Sequence, residues 1–190
     1  MPKSRRFPFL VVLLLWALGA PATNAEKHRS DKTTSLPPRF EKWLKEEVIY
    51  IVSAEERRQF LSLQVDKDRE QFVERFWARR DPTELTPENE FRDEHYRRLA
   101  FANDHFGGKV PGWKTDRGRV FIMHGAPSEI ESFPAGHWKG SPPLECWRYN
   151  EIEGVGEDII LVFADVDGTG DYRLKGEPPF PCLEFPPAGS

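Results

Sequence analysis

The pattern of apolar and polar positions divides the chain into a first half that predicts helices and a second half that predicts strands. Helical spacing is clearest at Phe72, Val73, Phe76 and Trp77, which recur at i, i+1, i+4 and i+5. Short apolar, β-branched runs bounded by turn residues come later. Helices followed by strands favour an α+β fold, with N-terminal helices packed on a mainly antiparallel sheet formed by the C-terminal half.

The first predicted helix covers 39–47. Phe40, Trp43 and Leu44 recur there at helical spacing and form one apolar face. The run 48–52 is apolar and β-branched, and it fits either a short strand or a continuation of this helix.

Two capping signals start the next helices. Residues 53–56 (Ser-Ala-Glu-Glu) form a capping box, which predicts a helix with Phe60 and Leu61 facing inward. Asp66 is expected to cap a helix from Lys67 to about residue 79.

The last helix of the first half is expected after a proline stop. Asp81-Pro82 ends the preceding helix, because a residue before proline avoids the helical region. Thr86 then caps a helix with Pro87 in its first turn. Its buried face is expected to contain Phe91, His95, Leu99, Ala102 and Phe106, and Gly107-Gly108 ends it.

A central strand is expected at 119–124, opened by Gly118. Val120 and Ile122 alternate with Phe121 and Met123, so both faces are apolar and the strand is expected to be covered on both sides.

The remaining strands are expected at 145–149, 159–163 and 172–174. A hairpin loop at 154–157 separates the first two, and a turn at 165–171 precedes the third.

The N-terminus has the layout of a secretory signal peptide. Three basic residues (Lys3, Arg5, Arg6) precede an almost wholly apolar run from Phe9 to Ala20, and small residues follow. The run is shorter than the roughly 20 residues that span a bilayer. We expect cleavage after Ala25, with Ala22 as the alternative site and an uncleaved membrane anchor as the alternative reading. The chain is therefore expected to be exported, to the periplasm or beyond it.

Four regions follow from these patterns: a signal peptide (1–25), a flexible linker (26–38), an α+β domain (39–176) and a proline-rich irregular tail (177–190).

Charge argues against nucleic-acid binding. The chain has 27 basic and 31 acidic residues, a formal charge of −4, and loss of the three basic residues of the leader makes it −7. Affinity for phosphate backbones needs a basic surface. The two cysteines, Cys146 and Cys182, are able to pair in an oxidising compartment, but the sequence does not bring them together.

The central residues carry a family resemblance. Gly112-Trp113-Lys114-Thr115-Asp116, followed by Arg117-Gly118-Arg119-Val120 and Gly125-x-Pro127, resembles the GWxTD domain. Flanking pieces agree, among them residues 76–82, 89–98, Trp147-x-Tyr149 and 167–172. The resemblance covers about Trp43 to Leu174 and implies an exported bacterial domain. It implies no activity and no catalytic residues.

Candidate catalytic groups are the carboxylates Glu90 and Glu94, one helical turn apart, with His95 and His124 as general bases. A structural network is the favoured alternative, in which Asp81 and Asp116 accept hydrogen bonds from arginines and join the helix to the turn. Its members are expected to be Asp81, Arg92, Arg98, Trp113, Thr115, Asp116, Arg117 and Arg119.

Metal binding is not favoured. Asp165, Asp167 and Asp171 alternate like calcium ligands, but the twelfth position of an EF-hand loop would be Gly176 and the flanks are expected to be strands. A tight Asp-Gly turn is the preferred interpretation. His95, His105 and His124 lack the spacing of a zinc site.

Three functions remain open. The first is a non-catalytic binding or assembly module of the cell envelope that recognises a protein or a glycan. The second is an exported hydrolase-type enzyme that uses the carboxylate and histidine groups, and the third is a calcium-stabilised domain. The sequence indicates neither the partner nor the oligomeric state.

Overall fold

The structure, a computed structural model, describes residues 35–83 and 86–176. Within these ranges helices precede strands, so the predicted α+β class is confirmed. The α-helices are α1 (Pro38–Lys42), α2 (Ala54–Ser62), α3 (Asp66–Ala78), α4 (Glu90–Phe106) and α5 (Asp116–His124). A π-helical turn (Trp43–Glu47) continues α1, and a 3-10 turn (Gly112–Lys114) precedes α5. The strands are β1 (Glu129–Phe133), β2 (Leu144–Ile152), β3 (Gly156–Ala164) and β4 (Arg173–Lys175).

The four strands form one antiparallel sheet in the order β1-β2-β3-β4. Cys146 on β2 lies opposite Val162 on β3, and Val162 lies opposite Lys175 on β4. The predicted strands β2, β3 and β4 are thereby confirmed. β1 is an edge strand that the sequence analysis missed, because its Glu-Ile-Glu-Ser-Phe sequence reflects an exposed edge more than a core.

The first helices enclose an aromatic core. The rings of Trp43 and Phe76 meet edge to face with centroids 5.1 Å apart, and Phe60 and Phe72 pack beside them. The amphipathic pattern predicted for 39–47 is confirmed, since Phe40, Trp43 and Leu44 are buried there. Aromatic burial on this scale is a main source of the stability of this half.

The segment 48–52 is neither a strand nor a helix. Val48 is fully buried, and its carbonyl accepts hydrogen bonds from the N–H groups of Ile51 and Val52 in a turn. The apolar character of this run therefore reflects packing against the aromatic core and not a regular element.

The predicted capping box of α2 is confirmed. The Glu56 N–H donates to Ser53 Oγ at 3.1 Å, and the Ser53 N–H donates to Glu56 Oε2 at 2.9 Å. Phe60 is buried as expected, but the inward orientation expected for Leu61 is wrong, because that side chain is 51 % exposed.

Two helix starts differ from the predicted ones. Asp66 is the first residue of α3 and not its cap, and its carboxylate pairs with Arg69 at 2.6 Å. α4 is capped by Asn89, whose Oδ1 accepts from the Arg92 N–H at 2.8 Å. Thr86 is not the cap, because its hydroxyl is bonded to the carbonyls of Thr83 and Glu88.

The buried face predicted for α4 is partly correct. His95 and Ala102 are buried, Leu99 and Phe106 are half-buried, and Phe91 is 39 % exposed. The helix ends at Gly107, as expected.

The strand predicted at 119–124 is wrong, because these residues belong to helix α5. Thr115 caps the helix by accepting a hydrogen bond from the Gly118 N–H at 3.0 Å. Val120 packs against the sheet, and Ile122 packs against Ala102. Because α5 contacts the sheet through Val120 and Phe121 and contacts α4 through Ile122, its apolar residues are adjacent in sequence, which is the pattern also expected of a central strand.

The sheet has two apolar faces. One face, which we call the helical face, carries Trp147, Tyr149 and Phe163 and packs against α5. The opposite face, which we call the outer face, carries Leu144, Cys146, Val162 and Ala164, all at most 2 % exposed.

The predicted signal peptide, residues 26–34 of the predicted linker and the predicted tail lie outside the described residues. None of the described helices is long and apolar enough to cross a membrane.

Candidate functional site

The signature residues 112–116 form the junction between α4, α5 and the sheet. Gly112 begins the 3-10 turn and Thr115 caps α5, so the chain reverses within a few residues. The Thr115 hydroxyl donates to the Gly112 carbonyl at 2.8 Å and accepts from the Gly118 N–H. The signature therefore closes its own turn with one side chain.

Two glycines allow backbone segments to approach closely. A Cβ atom on Gly112 would lie 1.8 Å from the Ala102 carbonyl oxygen, and one on Gly118 would lie 1.9 Å from the Gly112 carbonyl oxygen. Both positions therefore require glycine, because any side chain would push the turn away from α4 or α5.

Trp113 fixes the turn against the first half of the domain. The indole is 8 % exposed, and its ring centroid lies 6.5 Å from that of Tyr50. The Tyr50 hydroxyl donates to the Trp113 carbonyl at 2.7 Å, and Asn103 Oδ1 accepts from the Trp113 N–H at 3.1 Å. Burial raises the pKa of Tyr50 above its ordinary value, so its hydroxyl stays a donor.

The charged residues of the signature turn contact the sheet. Asp116 Oδ2 accepts from the Leu174 N–H at 2.9 Å, and its other oxygen lies 3.3 Å from the Arg119 guanidinium. Arg117 pairs with Glu145 on β2 at 2.9 Å. The Arg117 guanidinium also lies 4.2 Å from the Tyr172 ring centroid. The turn therefore connects α5 to β2 and β4.

The other members of the predicted network lie apart from the turn. Asp81 accepts from the Thr83 N–H at 3.0 Å, and Arg92 pairs with Asp93 at 3.3 Å. Arg98 pairs with Glu94 on its own helix at 2.7 Å. The structure thus divides the predicted set into a signature cluster, a turn at Asp81 and local ion pairs on α4.

Two of the four candidate catalytic residues share a small pocket of about 90 Å³. Glu94 and His95 line it together with Ile51, Phe91, Arg98 and Met123. Glu94 is bonded to both Arg97 and Arg98. Glu90 lies outside this pocket, at the start of α4, where its carboxylate is 3.3 Å from the Thr86 hydroxyl.

His95 is held as a neutral hydrogen-bond donor. Its Nε2 lies 2.6 Å from the Glu47 carbonyl oxygen, which only accepts, so Nε2 carries the proton. Burial lowers its pKa below the ordinary histidine value. The ring also lies 5.6 Å from Trp77 and 5.8 Å from Tyr96, which places it inside the packing of α3 and α4.

His124 ends α5, and its ring centroid lies 6.3 Å from that of Tyr149. Partial burial, together with the positive charge of Arg98, lowers its pKa. The Tyr149 hydroxyl donates to the Gly125 carbonyl at 3.0 Å.

The calcium candidates form a hydrogen-bonded turn. Asp165 Oδ1 accepts from the Thr169 N–H and Oδ2 from the Gly170 N–H, both at 2.9 Å. Asp171 pairs with Arg173 at 2.6 Å. Asp167 and Asp171 line a second pocket, of about 310 Å³, together with Phe106, Lys109 and Thr115.

Of the two cysteines, Cys146 is fully buried on the outer face of the sheet. Cys182 lies outside the described residues, so the pairing of the two stays a prediction.

A wide groove runs along one side of α4, and we call it the α4 groove. Its cavity volume is about 600 Å³. Leu99, Ala100, Pro111 and Trp113 give it an apolar surface, and its polar lining residues are Lys42, Glu46, Glu47, Tyr96 and Asn103.

Sequence reasoning missed this groove. Tyr96, Ala100 and Asn103 recur at i, i+4 and i+7, so they share one side of α4 next to the predicted buried face. This spacing was the signal in the sequence that could have indicated one wall of the groove. The opposing wall, from the π-helical turn, comes from distant sequence and was not predictable from spacing.

Only some of the polar side chains that line the groove form hydrogen bonds or ion pairs. Glu47 accepts from the Tyr96 hydroxyl at 2.9 Å and lies 3.7 Å from Lys42. Glu46 is half-buried and, among the described residues, has no hydrogen bond or ion pair. An open carboxylate beside an apolar surface is suited to a cationic group with apolar neighbours.

A family model, that of the GWxTD domain, matches residues 23–175 of the chain. The match includes α1 to α5, the signature turn and all four strands. No curated protein and no solved structure matches the chain.

Proposed function

We propose that this chain, which belongs to the GWxTD domain family, is a non-catalytic binding module of the cell envelope that holds a segment of a partner protein in the α4 groove. The observation that carries the proposal is that the apolar surface of the groove lies beside the Glu46 carboxylate, for which the described part of the chain provides no hydrogen bond or ion pair. The partner segment is expected to present apolar side chains next to a lysine or arginine.

The signature supports this function indirectly. Trp113 lines the groove while its backbone is held by Tyr50 and Asn103, so the apolar floor is fixed before a partner arrives. A preformed surface loses less conformational entropy on binding than a flexible one. Gly112 and Gly118 contribute by letting the turn lie against α4.

A peptide fits this groove better than a glycan does. The surface between charged residues is formed by a leucine, an alanine, a proline and a tryptophan edge, which resembles the grooves that receive amphipathic segments. A saccharide would need several free hydrogen-bonding side chains for its hydroxyls, whereas Tyr96 and Glu47 already bond each other and Asn103 Oδ1 already accepts from the Trp113 N–H.

Selection from a phage-displayed library of random peptides tests the proposal. The domain is expected to enrich peptides in which lysine or arginine lies within a turn of apolar residues. Ala100→Arg fills the groove with a large cation at an exposed helical site and should remove the enrichment. Ala78→Arg makes the same change on α3, outside the groove, and is the matched control.

Glu46→Gln removes the negative charge of the groove and keeps its shape, so it tests the contribution of the charge alone. This substitution should weaken the binding of peptides that contain lysine or arginine and leave the binding of purely apolar peptides unchanged. Enrichment that survives Ala100→Arg would refute the groove as the binding surface. Binding to a glycan array, with no peptide enriched, would refute the protein partner.

A further inference from the structure

The end of α4 and the loop before β4 enclose the pocket of about 310 Å³, which we call the loop pocket. One wall consists of residues 106–110, at and after the end of α4, and the other wall is contributed by residues between 167 and 173. The volume falls within the range of roughly 300–1,000 Å³ that is typical of small-ligand sites. The residues that line the loop pocket are all different from those that line the α4 groove, so the two are separate sites.

Both walls of the loop pocket are held in place by hydrogen bonds of the protein itself. The Gly108 N–H donates to the Val110 carbonyl at 3.0 Å and closes a bend in the first wall. In the second wall, Asp165 Oδ2 accepts from the Gly170 N–H at 2.9 Å. The Arg117 guanidinium donates to the Gly170 carbonyl at 3.2 Å and attaches this wall to α5. A ligand therefore meets a preformed site, which lowers the entropy cost of binding.

The charged side chains of the loop pocket balance each other. Lys109 and Arg173 are basic, whereas Asp167 and Asp171 are acidic. Arg173 pairs with Asp171 at 2.6 Å, but neither Lys109 nor Asp167 forms a hydrogen bond or ion pair within the part of the chain that the structure describes. The two basic groups would oppose a bare cation, and the two acidic groups would oppose a bare anion. The pocket is therefore suited to a neutral ligand that both donates and accepts hydrogen bonds.

The other lining groups favour a ligand with many hydroxyl groups. The Thr169 hydroxyl, which is able to donate and to accept, has no hydrogen-bond partner among residues 35–83 and 86–176. Phe106 is half-buried and Val110 is 40 % exposed, so both add apolar surface to the same pocket. A saccharide matches this combination, because its hydroxyls donate to carboxylates and accept from ammonium groups while its C–H surfaces pack on apolar side chains. A zwitterionic amino acid offers only two charged groups to this larger set.

We propose that the loop pocket binds a neutral saccharide unit. Lys109 donates to saccharide hydroxyls, Asp167 accepts from them, and the Thr169 hydroxyl does both. These are the free polar side chains that the α4 groove lacks. The inference does not depend on peptide binding in the α4 groove, because the two sites share no lining residue.

A glycan array probed with the full chain tests the class of ligand. The chain should bind neutral oligosaccharides and should not bind forms that carry sulfate or carboxylate groups in preference to them. Glycine and inorganic phosphate, added as competitors, should not displace the chain from the array. Absence of binding to every neutral saccharide, or displacement by glycine or phosphate, would overturn the saccharide assignment.

Point variants test the place of binding. Asp167→Ala and Lys109→Ala should each raise the Kd of a saccharide selected on the array by about tenfold or more, because each removes hydrogen bonds to a charged group. Asp104→Ala makes a matched change at an exposed position of α4 outside the pocket, and its Kd should stay within about twofold of the wild type. Wild-type Kd values in both pocket variants would overturn the loop pocket as the binding site.

A conservative variant keeps the test decisive if Asp167→Ala disturbs the loop. Asp167→Asn keeps the size of the side chain and one acceptor oxygen but removes its charge. Its Kd should lie between those of the wild type and Asp167→Ala, with an unchanged Tm. A Kd for Asp167→Asn equal to that of the wild type would show that the Asp167 charge does not hold the saccharide and would overturn its assigned role.

Discussion

The carboxylate of Asp116 accepts a hydrogen bond from the backbone N–H of Leu174 at 2.9 Å, and this bond joins the signature turn to the last strand. The Asp116 carboxylate pairs with Arg119 of α5 and not with an arginine of α4. Its neighbour Arg117 reaches Glu145 on β2, at a position that is nearly buried. The charged half of the signature therefore attaches α5 to the sheet, while Trp113 attaches the same turn to the first half of the domain.

Asp116→Ala is expected to lower the free energy of unfolding by about 1–3 kcal/mol, because it leaves the Leu174 N–H without a partner in a half-buried position. Asp116→Asn keeps one acceptor oxygen and should lose less. Urea denaturation of the three proteins measures the differences. Equal midpoints for the wild type and Asp116→Ala would show that the bond contributes nothing.

Gly118→Ala is expected to destabilise the domain by about 3 kcal/mol, because its Cβ atom would lie 1.9 Å from the Gly112 carbonyl oxygen and the turn must move. Gly108→Ala is the matched control, since a Cβ atom there meets nothing within 4 Å. It should change stability by less than about 0.5 kcal/mol. Thermal unfolding of both variants checks this, and equal losses would contradict the close approach.

Glu56 is expected to give the domain a stability that is lost in acid. Burial raises its pKa, but hydrogen bonds from Arg80, Ser53 and Arg79 outweigh burial and lower the pKa from 4.5 to about 2. Because the folded pKa is the lower one, ionised Glu56 stabilises the fold above pH 4.5, and this contribution falls as the pH drops toward 2.

Comparison with Glu56→Gln isolates this effect. The difference in Tm between the wild type and Glu56→Gln should be largest near neutral pH and should shrink below pH 4.5. Glu74→Gln, on the exposed side of α3, is the control. A difference that stayed constant down to pH 3 would exclude a lowered pKa for Glu56.

His95→Ala is expected to lower the free energy of unfolding by about 2–4 kcal/mol, because it removes a buried ring and the hydrogen bond to the Glu47 carbonyl. Glu90→Ala, at an exposed position, should leave Tm nearly unchanged. Differential scanning calorimetry compares the two. If His95→Ala kept the wild-type Tm and abolished a hydrolase activity, a catalytic role would replace the structural one.

Local chemistry made much of the fold predictable from the sequence. The capping box at Ser53 and the glycine end of α4 depend on neighbouring residues, so their signals are contained in a few positions. β2 and β3 were predictable because apolar runs of strand length are bounded by glycine turns.

The errors arose where packing decides between patterns. α5 is short and covered by both α4 and the sheet, so its apolar residues lack the one-sided stripe that marks a surface helix. β1 is an edge strand with glutamates at two of its five positions, and only its pairing with β2 defines it.

The site was less predictable than the fold. The residues of the signature turn could be chosen from the sequence, but the partners of Asp116 and Arg117 lie on β4 and β2, far away along the chain. The α4 groove likewise needs Glu46 and Tyr96 to face each other from separate helices. The spacing of residues within one helix or strand does not indicate which residues of other elements they contact.

Titration of a selected peptide into the domain tests the central claim, that the α4 groove binds a partner segment. In isothermal titration calorimetry, the Kd of the peptide for Ala78→Arg should lie within about twofold of its Kd for the wild type. Ala100→Arg should bind at least about tenfold more weakly, a loss of about 1.4 kcal/mol. Equal Kd values for the wild type, Ala78→Arg and Ala100→Arg would show that the peptide does not bind in the α4 groove.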